Sequence, residues 1–445
     1  MVSMGESAVT AADLQIRRLG EPRHPSPIET LLDGRASSVH YVHESDRVLL
    51  DDTVDMARAR GVSTIDDLPS LEPGGPRGRI YFDPASTKVG VVTCGGLCPG
   101  LNDVIRGLVI ELHEHYGLTQ TYGFRDGYLG LVSKDEPMPL TPDLVRDIHY
   151  RGGTILGTSR GSQDPDAMVA RLQHLGISIL FVIGGDGSLR GAQKIVDTAA
   201  RRRYELAVVG IPKTIDNDIP YIDHSFGFQT AFARASESIR AAQTEASSTP
   251  NGVGLVKLMG RHSGFIACYA ALANQNVDVV LVPEVPFALR GSGGLLTYVR
   301  SRVARSGYAV VVVAEGAGQD LVATDGARDA SGNLRLADIG KVLRDGIAAE
   351  FAAAEMPLSL RYVDPGYAIR SVPANPYDAV YCTRLAQAAV HAAMAGRTAM
   401  VVGRWHGRFV HLPIPLATGS RNQVDPNGDL WLSVLEVTGQ PQRLE

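Results

Sequence analysis

Six short runs rich in Val and Ile punctuate this chain, at 89–93, 177–183, 207–211, 277–282, 309–314 and 398–403. Each is bounded by Gly, Pro or polar residues and has the length of a buried strand rather than of a helix. Helix-length amphipathic stretches, such as 102–114 and 230–246, lie between most of them. Buried runs alternating with helices predict mainly parallel sheets in an α/β fold. Outside that pattern, residues 1 to about 75 are rich in Pro, Ser, Asp and Arg, and 22–27 and 69–76 read as loop or linker. Segment 38–51 is more apolar and is a candidate to pair with the body. Gly291 to Gly294 reads as a surface loop, 320–333 as a polar hairpin or excursion, and 417–445 gives no clear assignment.

Two of the runs end in loops with chemistry. Gly184-Gly185-Asp186-Gly187-Ser188 closes the second run, and Pro212-Lys213-Thr214-Ile215-Asp216-Asn217-Asp218 closes the third. In an open parallel sheet, ligands bind outside the C-terminal ends of the strands. The first loop has little side-chain bulk and one carboxylate, which suits phosphate oxygens and a divalent cation. The second packs a Lys, a Thr and two Asp together. Phosphoryl transfer needs a base for the hydroxyl, a metal ligand, and positive charge for the moving phosphate. Asp216 is the candidate base and Asp186 the candidate holder of Mg²⁺, through water. The alternative for Asp216, Asn217 and Asp218 is a turn or helix cap, and for the glycines simply tight turns.

Length and charge narrow the classes. A chain of 445 residues can bury a large core in two or three domains. A net charge of −5 with no long basic block gives no support for a nucleic-acid partner, so positive charge for phosphates must be local. Cys94, Cys98, Cys268 and Cys382 form no CxxC pair and no zinc spacing, and small space-filling thiols in a reducing cytosol are expected. His113-Glu114-His115 has the wrong spacing for one helical face, so a solvated surface is expected there. No secretory leader is visible in residues 1–19, and no apolar run approaches the ~20 residues of a membrane helix. A cytoplasmic protein that does not engage a membrane is expected.

Several motifs in order carry a family resemblance. GGDGS followed by PKTIDND resembles the phosphofructokinase family. Cys94-Gly95-Gly96-Leu97-Cys98-Pro99-Gly100-Leu101-Asn102-Asp103 is similar to its first phosphate loop. Arg125 to Leu131, Gly152 to Arg160, Lys257 to Arg261, Pro283 to Phe287 and Arg361 to Arg370 follow in the family's order, over roughly residues 75 to 415. The lead-in 75–82 and GGLCPGLNDVIR resemble the plant-type and trypanosomatid ATP-dependent branch. GGDG alone would be weak, because lipid kinases and NAD kinases also carry it.

The resemblance implies two similar Rossmann-like α/β domains with the active site in the cleft between them. Residues 1–79 would be an N-terminal extension. Residues 80–225 with about 365–415 would bind nucleotide, 226–364 would bind sugar phosphate, and 416–445 would be a C-terminal segment. The implied reaction is transfer of the γ-phosphate of MgATP to the 1-hydroxyl of fructose 6-phosphate, giving fructose 1,6-bisphosphate and ADP. Gly96, Arg160, Gly185, Asp186, Gly187 and Ser188 would take the nucleotide, with Asp186 on the metal. Arg160, Lys213, Thr214 and Asp216 would carry the chemistry. Thr214, Asp216, Asp218, Met259, Gly260, Arg261, Glu284, Arg361, Tyr367 and Arg370 would hold the sugar phosphate, with Arg361 supplied by a neighbouring subunit of a homo-oligomer, a dimer or tetramer.

The chain departs from the common bacterial pattern at Leu97, at Tyr367 and at Pro250-Asn251-Gly252. Members that use pyrophosphate typically have Asp at the position of Gly187 and Lys at that of Lys213; many bacterial ATP users have Gly at both. Gly187 leaves space for an α-phosphate, which favours ATP, and Lys213 serves either donor. The rivals are a pyrophosphate-dependent enzyme, a kinase for another sugar phosphate, and a non-catalytic subunit that binds sugar phosphate.

Overall fold

The computed structural model describes residues 9–28, 41–62, 64–322, 326–328 and 334–445. Positions 38–40 of the apolar N-terminal segment, and 323–325 and 329–333 of the polar excursion, lie outside them.

The strand-length runs build two sheets. The larger has nine strands, and its middle is five parallel strands in the spatial order Thr121–Phe124, Val89–Thr93, Ile179–Gly184, Ala207–Pro212 and Met400–Trp405. The chain leaves Val89–Thr93 toward one edge, then crosses over to continue toward the other. The reversal falls between Val89–Thr93 and Ile179–Gly184, where the C-terminal ends diverge and leave room for a ligand. Both strands are buried at every position, as parallel strands covered on two faces must be.

The smaller sheet is wholly parallel, in the order Val279–Leu281, Tyr308–Ala314, Gly252–Leu258, Ser359–Val363. All six sequence-predicted runs lie within two residues of a strand at each end, with 398–403 set two residues early. Gly252–Leu258, Thr121–Phe124 and Arg408–Pro413 were not expected. The first is interrupted by Gly254, whose missing side chain admits the helix Phe228–Ser247: a Cβ there would lie 2.9 Å from the Ala242 carbonyl oxygen.

Helices cover both sheets for the expected reason. Asp186–Arg201 buries Leu189, Ala192, Ile195, Val196 and Ala199 on one stripe. Phe228–Ser247 buries Phe228, Ala231, Ala235, Ile239, Ala242 and Ala246, and its apolar stripe belongs to a core that runs from the larger sheet into the smaller. The helix expected at 102–114 is α-helical over Leu101–Ile110 and then widens into a π-helical turn, Glu111–His115. His115 Nδ1 lies 2.6 Å from the buried carboxylate of Glu111 one turn back, so that contact is local to the helix.

The described N-terminal residues are part of the fold. Val48–Leu49 pairs with Ser70–Pro73, which pairs with Arg408–Pro413 and extends the large sheet by antiparallel strands. Glu72 is fixed there by Arg77 at 3.0 Å, Arg397 at 2.9 Å and His411 at 3.1 Å, all nearly buried. At the other end, the helix Asp429–Thr438 leads to Gln440, whose side chain accepts from Val280 N–H at 2.6 Å and donates to its carbonyl at 3.2 Å. That amide covers the outer edge of Val279–Leu281 as a further strand would. All four cysteines are free and buried.

Candidate active site

Both reading frames of the sheet order point to the same edge. Cys94 to Gly100 follows Val89–Thr93, and Gly185 to Ser188 follows Ile179–Gly184, so two glycine loops flank the switch point. The helix Asp186–Arg201 starts directly on its strand, with Gly185 as N-cap and Asp186 as first residue, so its free N–H groups face the loop. Helix Leu101–Ile110 starts after Gly100, where φ is +100° and a Cβ would lie 2.6 Å from Cys382 Sγ. Only glycine fits that turn.

Lys213 ties the loops together. It is buried at the end of Ala207–Pro212, its N–H donates to the Gly184 carbonyl at 3.0 Å, and its Nζ donates to the Gly96 carbonyl at 2.7 Å. Burial pushes its pKa down. A Cβ on Gly95 would lie 3.7 Å from that Nζ and 3.9 Å from Ser188 Oγ. A Cβ on Gly96 would lie 3.9 Å from one guanidinium nitrogen of Arg160 and equally far from one of Arg370. Both arginines therefore reach Gly96. Gly187 has nothing within 4 Å of the place a Cβ would take.

The segment after Lys213 is a compact turn. Asn217 adopts φ +56° and its side-chain carbonyl accepts from Ser225 N–H at 2.8 Å. Thr214 Oγ1 donates to Asp218 Oδ1 at 2.9 Å and accepts from Asp216 N–H at 3.1 Å. The turn reading of these Asx residues therefore holds for Asn217, while Asp216 keeps a carboxylate oxygen, Oδ1, that is buried with no hydrogen-bond partner. Burial raises the Asp216 pKa well above the carboxylate range; the negative charges of Asp218 and Glu315 raise it further, and Arg421 opposes them.

Loops of the smaller sheet complete the site. Arg261 offers its backbone N–H to Asp216. Gly260, at φ +128°, could not carry a Cβ, which would lie 2.7 Å from the Ser263 carbonyl oxygen. Met259 is packed against the core. Glu284 Oε1 accepts from Gly264 N–H at 2.9 Å and Val424 N–H at 2.8 Å, and its Oε2 is buried with no partner. Burial raises its pKa. Tyr367 is largely exposed on the short helix Gly366–Arg370, with the Arg370 guanidinium 4.9 Å above its ring. Arg361 stands apart from this group. It lies on the exposed edge strand Ser359–Val363, with Nε 3.4 Å from Glu245 on the helix behind.

Two residues escaped the sequence reading. Glu315 follows Tyr308–Ala314 and acts on Asp216; burial raises its own pKa, which Arg261 and Lys257 offset. It obeys the same rule that singled out Asp186, a carboxylate just past a buried strand. Arg421 comes from the C-terminal segment, where the sequence carries no pattern. Its guanidinium lies 3.1 Å from Asp218 Oδ2 and 3.5 Å from Asp186 Oδ2. Arg190 pairs with the other oxygen of Asp186.

The donor set suits Mg²⁺. Among the described residues no three His, Cys, Asp or Glu side chains form a ready cage. Magnesium dehydrates reluctantly and is usually held by one or two carboxylates, waters and substrate phosphates. Asp186 is the carboxylate beside the two glycine loops, and Arg190 and Arg421 hold its two oxygens, so a cation there would have to displace or share one of them.

The family profile described as Phosphofructokinase matches residues 88–393. An ATP-dependent 6-phosphofructokinase of Amycolatopsis methanolica is 57% identical over 437 residues, covering 96% of this chain and 95% of that protein. ATP-dependent 6-phosphofructokinase 7 of Arabidopsis thaliana is 46% identical, covering 95% of this chain and 86% of its own length. In fold, the chain is similar to the crystal structure of a pyrophosphate-dependent phosphofructokinase from Marinobacter aquaeolei, with a TM-score of 0.66 and 22% identity over 80% of this chain and 92% of that one. The chain belongs to the phosphofructokinase family.

Proposed function

We infer that the chain is an ATP-dependent 6-phosphofructokinase that converts fructose 6-phosphate and MgATP to fructose 1,6-bisphosphate and ADP. Relatives of that name, aligned over nearly the whole chain, support the reaction. Asp216 carries the reading on the chemical side: a partnerless carboxylate oxygen, with its pKa raised, faces the loops of both sheets. In this reading Asp216 accepts the proton of the sugar 1-hydroxyl as that oxygen bonds the γ-phosphorus. The bond to the β,γ-bridging oxygen breaks, and its electrons leave on ADP. Arg160 and Lys213 supply positive charge for the phosphates, and the N–H groups around Gly96 and Gly185 to Ser188 orient them. Thr214 positions Asp218 and the Asp216 backbone. Mg²⁺, held by Asp186 through water, would neutralise charge on the β- and γ-phosphates.

The acceptor would lie against Met259, Gly260, Arg261, Glu284, Tyr367 and Arg370. Arg361 would serve a neighbouring subunit, which makes the working unit a homo-oligomer, dimer or tetramer. The nucleotide lobe in this reading is 80–225 with about 365–415, and the sugar-phosphate lobe is 226–364. No helix among the described residues is long and apolar enough to cross a membrane, and a cytoplasmic place of action accords with the substrates. Purified protein assayed with fructose 6-phosphate and Mg²⁺ tests the reading: turnover with ATP is expected. Turnover with pyrophosphate alone would overturn the donor, and tight sugar-phosphate binding without turnover by either donor would favour the non-catalytic subunit.

A further inference from the structure

Residues 420–424 form a strap across the site. Asn422 N–H donates to the Asp218 carbonyl at 2.9 Å. From the other side, Ser263 Oγ donates to the Asn422 carbonyl at 2.6 Å, Gln423 Nε2 donates to the His262 carbonyl at 2.8 Å, and Val424 N–H donates to Glu284. The strap is thus fastened to loops of both sheets by its own backbone and by Gln423. The Arg421 side chain takes no part in that fastening. It reaches instead into the gap between the metal-binding candidate and the base loop, where one guanidinium spans Asp186 and Asp218. Arg421 remains about a third exposed, with side-chain relative exposure of 36%.

We propose that Arg421 is a resident counter-ion: it holds Asp186 and Asp218 before nucleotide binds, and it turns to the transferring phosphate when MgATP arrives. The chemistry requires an exchange. A guanidinium and a hydrated divalent cation cannot both sit against Asp186 Oδ2 without like-charge repulsion. A phosphate offers the displaced fork a bidentate partner at least as good as a carboxylate. The side chain can swing while the strap stays pinned. The C-terminal segment then becomes part of the phosphate site, and ligand binding replaces one carboxylate-bound cation by another.

This proposal rests on the site being one for phosphoryl transfer, and its test separates the two. Mn²⁺ alone, with no nucleotide or sugar, is titrated into the full-length protein and followed by electron paramagnetic resonance. Removing a competing charge-assisted contact is expected to tighten Mn²⁺ binding roughly tenfold in Arg421→Gln. Arg421→Lys, whose point charge cannot span both carboxylates, should fall between the two and keeps the test usable if the Gln chain fails to fold. In turnover, Arg421→Gln should lower kcat by about 10²-fold, as loss of one preorganised charge contact does, with Lys restoring part. Unchanged Mn²⁺ affinity in folded variants overturns the counter-ion role. Tighter Mn²⁺ binding with an unchanged kcat overturns the hand-over to phosphate.

Discussion

The hydroxyl of Thr214 donates to Asp218 at 2.9 Å and accepts the backbone N–H of Asp216 at 3.1 Å, so one side chain satisfies Asp218 and leaves the Asp216 carboxylate available. The two carboxylates of the turn are thereby differentiated. Asp218 is held by Thr214 and Arg421, and burial beside the charges of Asp218 and Glu315 raises the Asp216 pKa. Asp216→Asn keeps the shape and removes the proton acceptor. Turnover should fall by about 10²–10⁴-fold with little change in nucleotide binding. Near-normal kcat in that variant, measured with both substrates saturating, would remove Asp216 as the base.

The same electrostatics set the pH dependence. Asp216 must be ionised to accept a proton, and its pKa is raised, so kcat/KM should climb with pH through a limb above the ordinary carboxylate range. Glu315→Gln removes a repelling charge and should move that limb to lower pH; Arg421→Gln removes an attracting one and should move it to higher pH. Linkage has the opposite sense for stability. A raised carboxyl pKa stabilises the fold at low pH, and that contribution is lost as pH rises through the folded-state value. A limb unmoved by both variants would mean that the profile reports another group.

Much of this site was legible because strand ends carry it. Asp186 and Lys213 each stand just past a buried run that periodicity exposes, whereas Arg261 was reached only through its place in the Lys257 to Arg261 motif. Glu315 stood under the same signal and escaped notice because its loop, Glu315 to Gly318, holds no other charged group. The strand Gly252–Leu258 was hidden by its two glycines, which serve the close approach of a helix rather than a turn. Arg421 could not be read locally: it acts at Asp186, 235 residues away, and only the fold brings them together. The Glu72 cluster likewise joins residues 325 and 339 apart in sequence.

That cluster gives a stability prediction. Burial alone would raise the Glu72 pKa, but the hydrogen bond from His411 and the charges of Arg397 and Arg77 more than reverse it. Burial pushes the His411 pKa down, and Glu72 opposes that shift. A depressed carboxylate stabilises the fold above its unfolded pKa, and the contribution is lost as pH falls toward the folded-state value. Arg397→Met should cost about 1.5–3 kcal/mol at neutral pH, because it removes one charged partner of a buried carboxylate that Arg77 and His411 still hold. Urea denaturation at neutral and acidic pH measures this, and the loss should shrink on acidification. A cost that stays the same at both pH values would assign the role of Arg397 to packing.

Gly187 isolates the choice of donor from folding. Nothing lies within 4 Å of the position a Cβ would occupy, and the residue sits in the first turn of Asp186–Arg201, where an acidic side chain suits the helix dipole. Gly187→Asp should therefore fold normally, with a thermal midpoint close to that of the parent. Its carboxylate would meet the nucleotide phosphates, and like charges at such an interface cost several kcal/mol. The kcat/KM for ATP should drop by roughly 10²-fold or more, while pyrophosphate gains relative to ATP because Lys213 is already present. Undiminished ATP use by the folded variant would show that Gly187 is not in the donor site.

Arg361 decides whether the acceptor site is built by one chain or two. Within the chain it sits on the exposed edge strand, 3.4 Å from Glu245 and away from the loops that gather around Asp216. Its side chain is 45% exposed and pairs with an exposed Glu245, so it can turn to a neighbour's ligand without rearranging its own lobe. Arg361→Ala should then raise the KM for fructose 6-phosphate by about 10–10²-fold, as loss of a charged hydrogen bond does, and leave the KM for ATP nearly unchanged. The decisive experiment mixes an Arg361→Ala chain with an Asp216→Asn chain. Each is impaired alone, but a hybrid dimer contains one site with both Asp216 and a donated Arg361, so activity should reappear as subunits exchange. Absence of rescue after exchange is verified by mass spectrometry, or full activity from an isolated monomer, would place Arg361 outside any shared site.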